Sequence, residues 1–264
     1  MRVLRSITFV LALGLWGGLA EATTISWDFE QSTWPQFGPC CPNAIPTVIV
    51  TENGNHFSRL TASTTDCGPS YFTTCPRTRA EVVIGNLTSV EGATRVYSID
   101  IRFPSPAQAP AQAPSGHDSL VWQMVNPGGP ELRTSWIGSQ NGRVYLGNPI
   151  QPVPHTQYEV NLGNIQGPFA TVQAIDLGPI DLGVWHTYKI VMIESTNPAV
   201  GRLMAYRDGV LIGTLANQAT IRNLTYTEIY IDVVEAQGNM TGVADFDNAS
   251  LATVPGAPMN LRVQ

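Results

Sequence analysis

Apolar and polar residues alternate with a period of two along most of this chain, and no apolar stripe recurs at helical spacing over three or more turns. The pattern predicts short strands at 24–29, 47–51, 57–62, 79–84, 95–103, 119–125, 143–147, 187–194, 201–207, 210–215, 228–234 and 243–251, bounded by Gly, Pro, Asn or Asp. Asp208-Gly209 supplies the two positive-φ positions that a tight hairpin turn demands, so 201–207 and 210–215 are expected to pair. Residues 104–114 carry Pro-Ala-Gln repeats that cannot join a ladder and read as an extended surface loop. The expectation is an all-β, antiparallel β-sandwich occupying 23–253 as one domain.

The same alternation sorts the polar side chains. Around Ala80, Arg77, Arg79 and Glu81 share one face, while Thr78, Ala80, Val82 and Ile84 share the other. Glu81 is a same-face neighbour that can orient the Arg79 guanidinium for an acidic ligand, and a solvated outer face with a weak ion pair is the competing reading. Gln123 falls with Val121 and Val125, away from Leu120, Trp122 and Met124. Tyr145 shares a face with Arg143, and Tyr230 lies opposite Ile229 and Ile231.

Composition narrows the compartment and the partners. Arg2 and Arg5 precede an apolar run over 7–19 and then Ala20-Glu21-Ala22, the layout of a secretory signal peptide over 1–22. That run is shorter than the roughly 20 residues a membrane span needs, and no second one follows, so a secreted protein with no membrane span is expected. Net charge is −6 with Lys189 the sole lysine, which argues against nucleic acid as a partner. Residues 254–264 resemble a linker entering a fibronectin type III module, so the protein is expected as a monomer or as one piece of a longer multi-domain chain.

Cys40, Cys41, Cys67 and Cys75 lie close together in sequence, and in an oxidising compartment two disulfides are the default. Adjacent cysteines seldom bridge each other, so Cys40 and Cys41 are expected to pair with Cys67 and Cys75 in either order; zinc is the alternative, with ligand spacing against it. No cofactor is required by the sequence. Asp245 and Asp247, with Asp28 or Glu30, are weak candidates for a structural calcium site, turn capping being the alternative.

Several segments, in order, resemble the jelly-roll polysaccharide lyases of the heparin lyase I and glucuronan lyase type, whose fold is concanavalin A-like. They are Arg79-Ala80-Glu81-Val82, the run from Tyr97 to Pro104, Ser119 to Met124, Gly183 to Ile190, and Gly201-Arg202 through Asp208-Gly209. The last two also occur in laminin-G-like domains and speak to fold; the first and Gln123 lean toward the lyases.

The resemblance implies β-elimination on a uronic-acid polysaccharide: a group that neutralises the carboxylate, a base for the C5 proton and an acid for the leaving O4. It assigns Arg79 and Gln123 to the carboxylate, with Arg77, Glu81 and Arg143 contacting substrate. Many relatives carry Gln-x-His on this strand, but position 125 is Val, and Asp232 stands where a lysine is expected after Tyr230. The proton carrier would then be Tyr145, Tyr230 or His117, a phenol qualifying if a nearby arginine lowers its pKa. His186 reads as structural, and His56 and His155 have no constellation. The alternative is a non-catalytic carbohydrate-binding or adhesion module, with Trp122, Trp136 and Tyr145 as sugar platforms; a structural domain of a larger surface protein is a third reading. Paired hydrolase carboxylates, a Gly-x-Ser-x-Gly elbow, a His-Glu-x-x-His helix and a phosphate loop are absent from the sequence.

Overall fold

A computed structural model of the chain describes residues 23–29, 48–62, 78–104, 119–126, 133–140, 142–149, 172–235 and 242–254. They contain fourteen strands and no helix: β1 (Thr23–Trp27), β2 (Val48–Glu52), β3 (Asn55–Ala62), β4 (Thr78–Thr88), β5 (Thr94–Arg102), β6 (Ser119–Val125), β7 (Arg133–Gln140), β8 (Arg143–Pro149), β9 (Val172–Pro179), β10 (Trp185–Ile193), β11 (Arg202–Arg207), β12 (Val210–Ala216), β13 (Tyr226–Glu235) and β14 (Gly242–Val254). One sheet runs β12-β11-β10-β5-β14-β3-β2, with β1 also on β14; the other runs β4-β13-β6-β7-β8-β9. Every pairing is antiparallel.

The core lies between the two sheets, where the period-two pattern sends alternate residues inward. Tyr97, Ile99 and Ile101 of β5 and Tyr188, Ile190 and Met192 of β10 face Trp122 and Met124 of β6 and Ile229, Ile231 and Val233 of β13. The Tyr97 and Trp122 rings meet edge to face at 5.4 Å. Burial and the Glu194 charge push the Tyr97 hydroxyl far above its ordinary pKa. Trp122 is therefore a core residue and not an available sugar platform.

Strands β7 and β9 lie outside the twelve expected from sequence. On β7 the inward positions include Ser135 beside Ile137, both buried, so a polar residue interrupts the apolar alternation. On β9 only Ile175 and Leu177 point to the core, and the strand ends in Gly178-Pro179, a pair that reads as a turn. The Asp208-Gly209 hairpin is as expected, with φ of 52° and 80°. Asn53-Gly54 makes a second such turn between β2 and β3, with φ of 53° and 79°.

Several buried polar groups are held by explicit partners. Arg95 pairs with Glu194 at 3.1 Å, and Glu194 also accepts from the Val90 amide. The Asn126 side chain accepts from the Arg222 and Asn223 amides and donates to the Asn223 and Tyr226 carbonyls. It thereby fastens the end of β6 to the turn that opens β13, the strands carrying Gln123 and Tyr230.

Candidate functional site

The outward face of the six-stranded sheet collects most of the polar positions singled out by alternation. Register defines two rows across it. One runs Val83–Tyr230–Gln123–Trp136–Gly147–Ala174, and the other Arg79–Val234–Leu120–Gly138–Tyr145–Asp176. The rows are four residues apart on β4 and β13 but two apart on β7, β8 and β9, because bulges in β6 absorb the difference. They converge from about 13 Å to about 7 Å across the sheet, at roughly 3.3 Å per residue.

Gln123 and Tyr230 are direct cross-strand partners, which sets their Cβ atoms about 5 Å apart. Gln123 is 1% exposed, whereas Tyr230 is half-buried. Tyr145 is two strands from Gln123 and in the other row, a lattice distance of about 12 Å. The two tyrosines that sequence left as alternatives thus belong to different places: Tyr230 beside the amide, Tyr145 beside Arg143.

Around Tyr145 the charges are ordered. Arg143 Nε donates to Asp176 Oδ2 at 2.8 Å, and the Gly178 amide donates to Asp176 Oδ1 at 2.9 Å. Burial opposes ionisation of Asp176, but the bond from Arg143, the Gly178 amide and the Arg143 charge together hold its pKa below the ordinary value. Arg143 is raised, by the bond to Asp176 against some desolvation, with Tyr145 adding to the effect. Nothing in the sequence pointed to Asp176, because its strand was not recognised.

Arg79 and Glu81 occupy β4, an edge strand, opposite Val234 and Asp232. Arg79 is four residues along and two strands across from the Gln123 row, about 16 Å on a regular lattice. The pairing of Arg79 with Gln123 at one carboxylate, implied by the family resemblance, is therefore not a near-neighbour pairing in register. Arg77, His117, the four cysteines, the signal segment, the 105–114 loop and the stretch after 254 lie outside the described residues.

The outward face of the larger sheet also carries polar groups, and the two aspartates of β14 on it are engaged by neighbours. Asp245, read from sequence as a calcium candidate, is the counter-ion of two arginines: Arg59 donates Nε and Nη2 at 2.6 and 2.9 Å, and Arg102 donates Nε and Nη2 at 2.9 and 2.7 Å. Arg102 also meets Glu52 at 2.6 Å and lies over the Phe57 and Trp185 rings at 4.7 and 4.8 Å. Asp247 accepts from Asn55 Nδ2 and from the Asn248 amide. Among the described residues no three His, Cys, Asp or Glu groups are placed to hold a metal ion. His186 sits at the end of this sheet between Asp208 at 2.7 Å and Asp181 at 3.1 Å. Arg207 donates to the Leu177 and Pro179 carbonyls of β9 and to Asp181, joining the two sheets.

No protein-family profile matches the chain, and no curated protein matches it in sequence. Likeness appears in three dimensions. The endo-β-1,4-glucuronan lyase of the fungus Trichoderma reesei superposes with a TM-score of 0.58 at 14% identity, over 89% of this chain and 95% of that one. The fold is an antiparallel jelly-roll β-sandwich. Alginate lyase AlyC3 in complex with dimannuronate gives 0.54 at 12% identity over 76% of each chain. A carbohydrate esterase from the Shiga toxin-encoding bacteriophage phi24B gives 0.53 at 10% identity, over 89% of this chain and all of that one. Because an esterase and lyases share the architecture, the chemistry has to be argued from the residues on the sheet. No helix among the described residues is long and apolar enough to cross a membrane.

Proposed function

We propose that this chain is a secreted protein that acts on an acidic, uronic-acid polysaccharide by β-elimination on the outward face of the six-stranded sheet. The observation that carries the reading is the direct pairing of Gln123 with Tyr230 on that face. The amide supplies N–H donors to the sugar carboxylate, where negative charge grows in the transition state. The Tyr230 phenolate takes the C5 proton; the C–H electrons form the C4=C5 double bond, the C4–O4 bond breaks, and the phenol returns its proton to O4. Arg79, in the other row, is assigned to a neighbouring sugar rather than to the carboxylate at Gln123. His117 is the alternative proton carrier, and no cofactor takes part in the scheme. Glycan substrates outside the cell agree with the exported compartment expected from residues 1–22.

Two observations favour a second reading, a binding module that does not cleave: Val125 at the position of the histidine in Gln-x-His, and the burial of Gln123. The experiment is to incubate the mature protein with a panel of uronate polymers and follow the ultraviolet absorbance of the unsaturated product. Turnover that falls about a hundredfold or more in Tyr230→Phe, with polymer binding retained, is the expected result. No absorbance on any uronate polymer with binding retained overturns cleavage and leaves the binding module.

A further inference from the structure

We propose that Arg143, aimed by Asp176, reads a second carboxylate of the same glycan chain, so that tight binding requires an acidic oligosaccharide and not a single uronate. The inference rests on the proposed acidic-polysaccharide reading and adds to it a length requirement and a positioning residue.

Arg143 and Asp176 are each 44% exposed on the face that carries Tyr230 and Tyr145, so the guanidinium is open to a ligand. The carboxylate is fixed at both oxygens, one by the Gly178 amide and one by Arg143 Nε. It therefore acts as a strut. The contact with Asp176 engages Nε, Tyr145 takes a further hydrogen bond from the side chain, and the remaining N–H groups of the half-exposed donor fork face a planar anion.

The strut depends on a local departure from regular pairing. Val144 pairs with Gly178 but Tyr145 pairs with Asp176, so Leu177 is the extra residue of a bulge in β9. Leu177 remains in the core, while Asp176 is turned outward beside Arg143. Gly178 has φ of 105°, and a Cβ there would lie 2.6 Å from Arg207 Nη1, so the position that donates to Asp176 suits glycine alone. An adventitious surface ion pair has no need of a bulge and a left-handed glycine behind it.

Distance sets the ligand. From Gln123 the row crosses Trp136 to Gly147, two strands away, and Arg143 lies four residues farther along β8. At about 4.8 Å per strand and about 3.4 Å per residue, Gln123 and Arg143 are about 17 Å apart. That separation exceeds one sugar ring, so simultaneous engagement of both points calls for an oligomer bearing a carboxylate at each end of the span.

The test is affinity, by calorimetry, for oligoglucuronates and oligomannuronates graded from disaccharide to octasaccharide. Wild-type affinity is expected to rise about ten- to a hundredfold once the oligomer bridges the two points, the usual weight of a hydrogen bond to a charged group. Arg143→Gln and Asp176→Asn are expected to lose that step while retaining the wild-type β-sheet circular dichroism spectrum, and Arg143→Lys to restore part of it. A step that persists in Arg143→Gln overturns the inference and leaves the functional reading standing. Wild-type protein that binds no acidic oligosaccharide of any length overturns the functional reading itself, and the inference with it.

Discussion

Replacing Asp245 by Asn keeps the shape of the side chain but removes the buried negative charge that Arg59 and Arg102 share. Asp245 is fully buried, and the Arg59 and Arg102 side chains are 32% and 11% exposed. Removing one partner of a buried ion pair typically costs about 3–5 kcal/mol, because the remaining charge stays desolvated. Arg102 would retain Glu52 at 2.6 Å and the Phe57 and Trp185 rings, whereas Arg59 would retain the Phe57 ring at 5.7 Å and the weaker attraction of the Glu52 charge. The lower end of the range, about 3 kcal/mol, is therefore expected. For a domain of this size that corresponds to a Tm lowered by about 6–12 °C. In urea the midpoint should fall by about 1–3 M. Arg59→Met in the Asp245→Asn background should be less damaging than the sum of the single changes, since it removes the charge left without a counter-ion. A Tm of Asp245→Asn equal to wild type, or strict additivity in the double variant, would refute the ion-pair account. So would a chelator that lowers the wild-type Tm but not that of Asp245→Asn, because the carboxylate would then be a cation ligand.

Two further substitutions probe other parts of the sandwich. Burial raises the Asp208 pKa, but the bonds from His186 and the Thr187 amide and the charges of His186 and Arg207 bring it below its ordinary 3.8. A depressed carboxylate contributes stability that is present above its unfolded pKa and lost as pH falls through the folded value. Asp208→Asn, which still suits φ of 52°, should therefore flatten the acid limb of Tm measured from neutral to about pH 3; an unchanged limb would count against this group as a contributor. Gly201→Ala places a Cβ 1.9 Å from the Gln218 carbonyl, so backbone must move, and a loss of about 1–3 kcal/mol in chemical denaturation is expected. Gly142→Ala, with φ of 73° and open space around it, should lose no more than about 1–2 kcal/mol from backbone strain; equal losses at the two glycines would remove the steric argument.

Sequence made the fold readable wherever one face of a strand is apolar throughout, as in β5 and β10, whose alternate residues are buried. It failed at β7 and β9, where Ser135 takes a core position and Gly178-Pro179 imitates a turn. The site was legible by face and not by row. Alternation places Tyr145 and Tyr230 on the face away from the core, because facing follows parity in a regular strand. On β6 the bulge breaks that parity: Val121, grouped with Gln123 by alternation, lies in the core, and Leu120, grouped with Trp122, pairs in the outward row with Val234 and Gly138. Which of the site residues are neighbours depends on register, and register here is set by bulges in β6, β9 and β13 pairings that period-two counting does not reveal. For the same reason Arg79 and Gln123, both on the six-stranded sheet, fall about 16 Å apart on the lattice, and Asp176 was not seen at all.

The ladder between β1 and β14 pairs Thr23 with Thr253 and Trp27 with Ala249. The first and last described strands thus leave the domain side by side, at one point of its surface. Tension applied between those two residues would meet the hydrogen bonds of that ladder one pair after another, in the peeling direction, rather than loading all of them together in shear. Under load β1 is the strand that separates first, while the six-stranded sheet with Gln123 and Tyr230 lies outside the line of force. A sandwich pulled through these two strands yields first at the β1–β14 ladder, away from the six-stranded sheet.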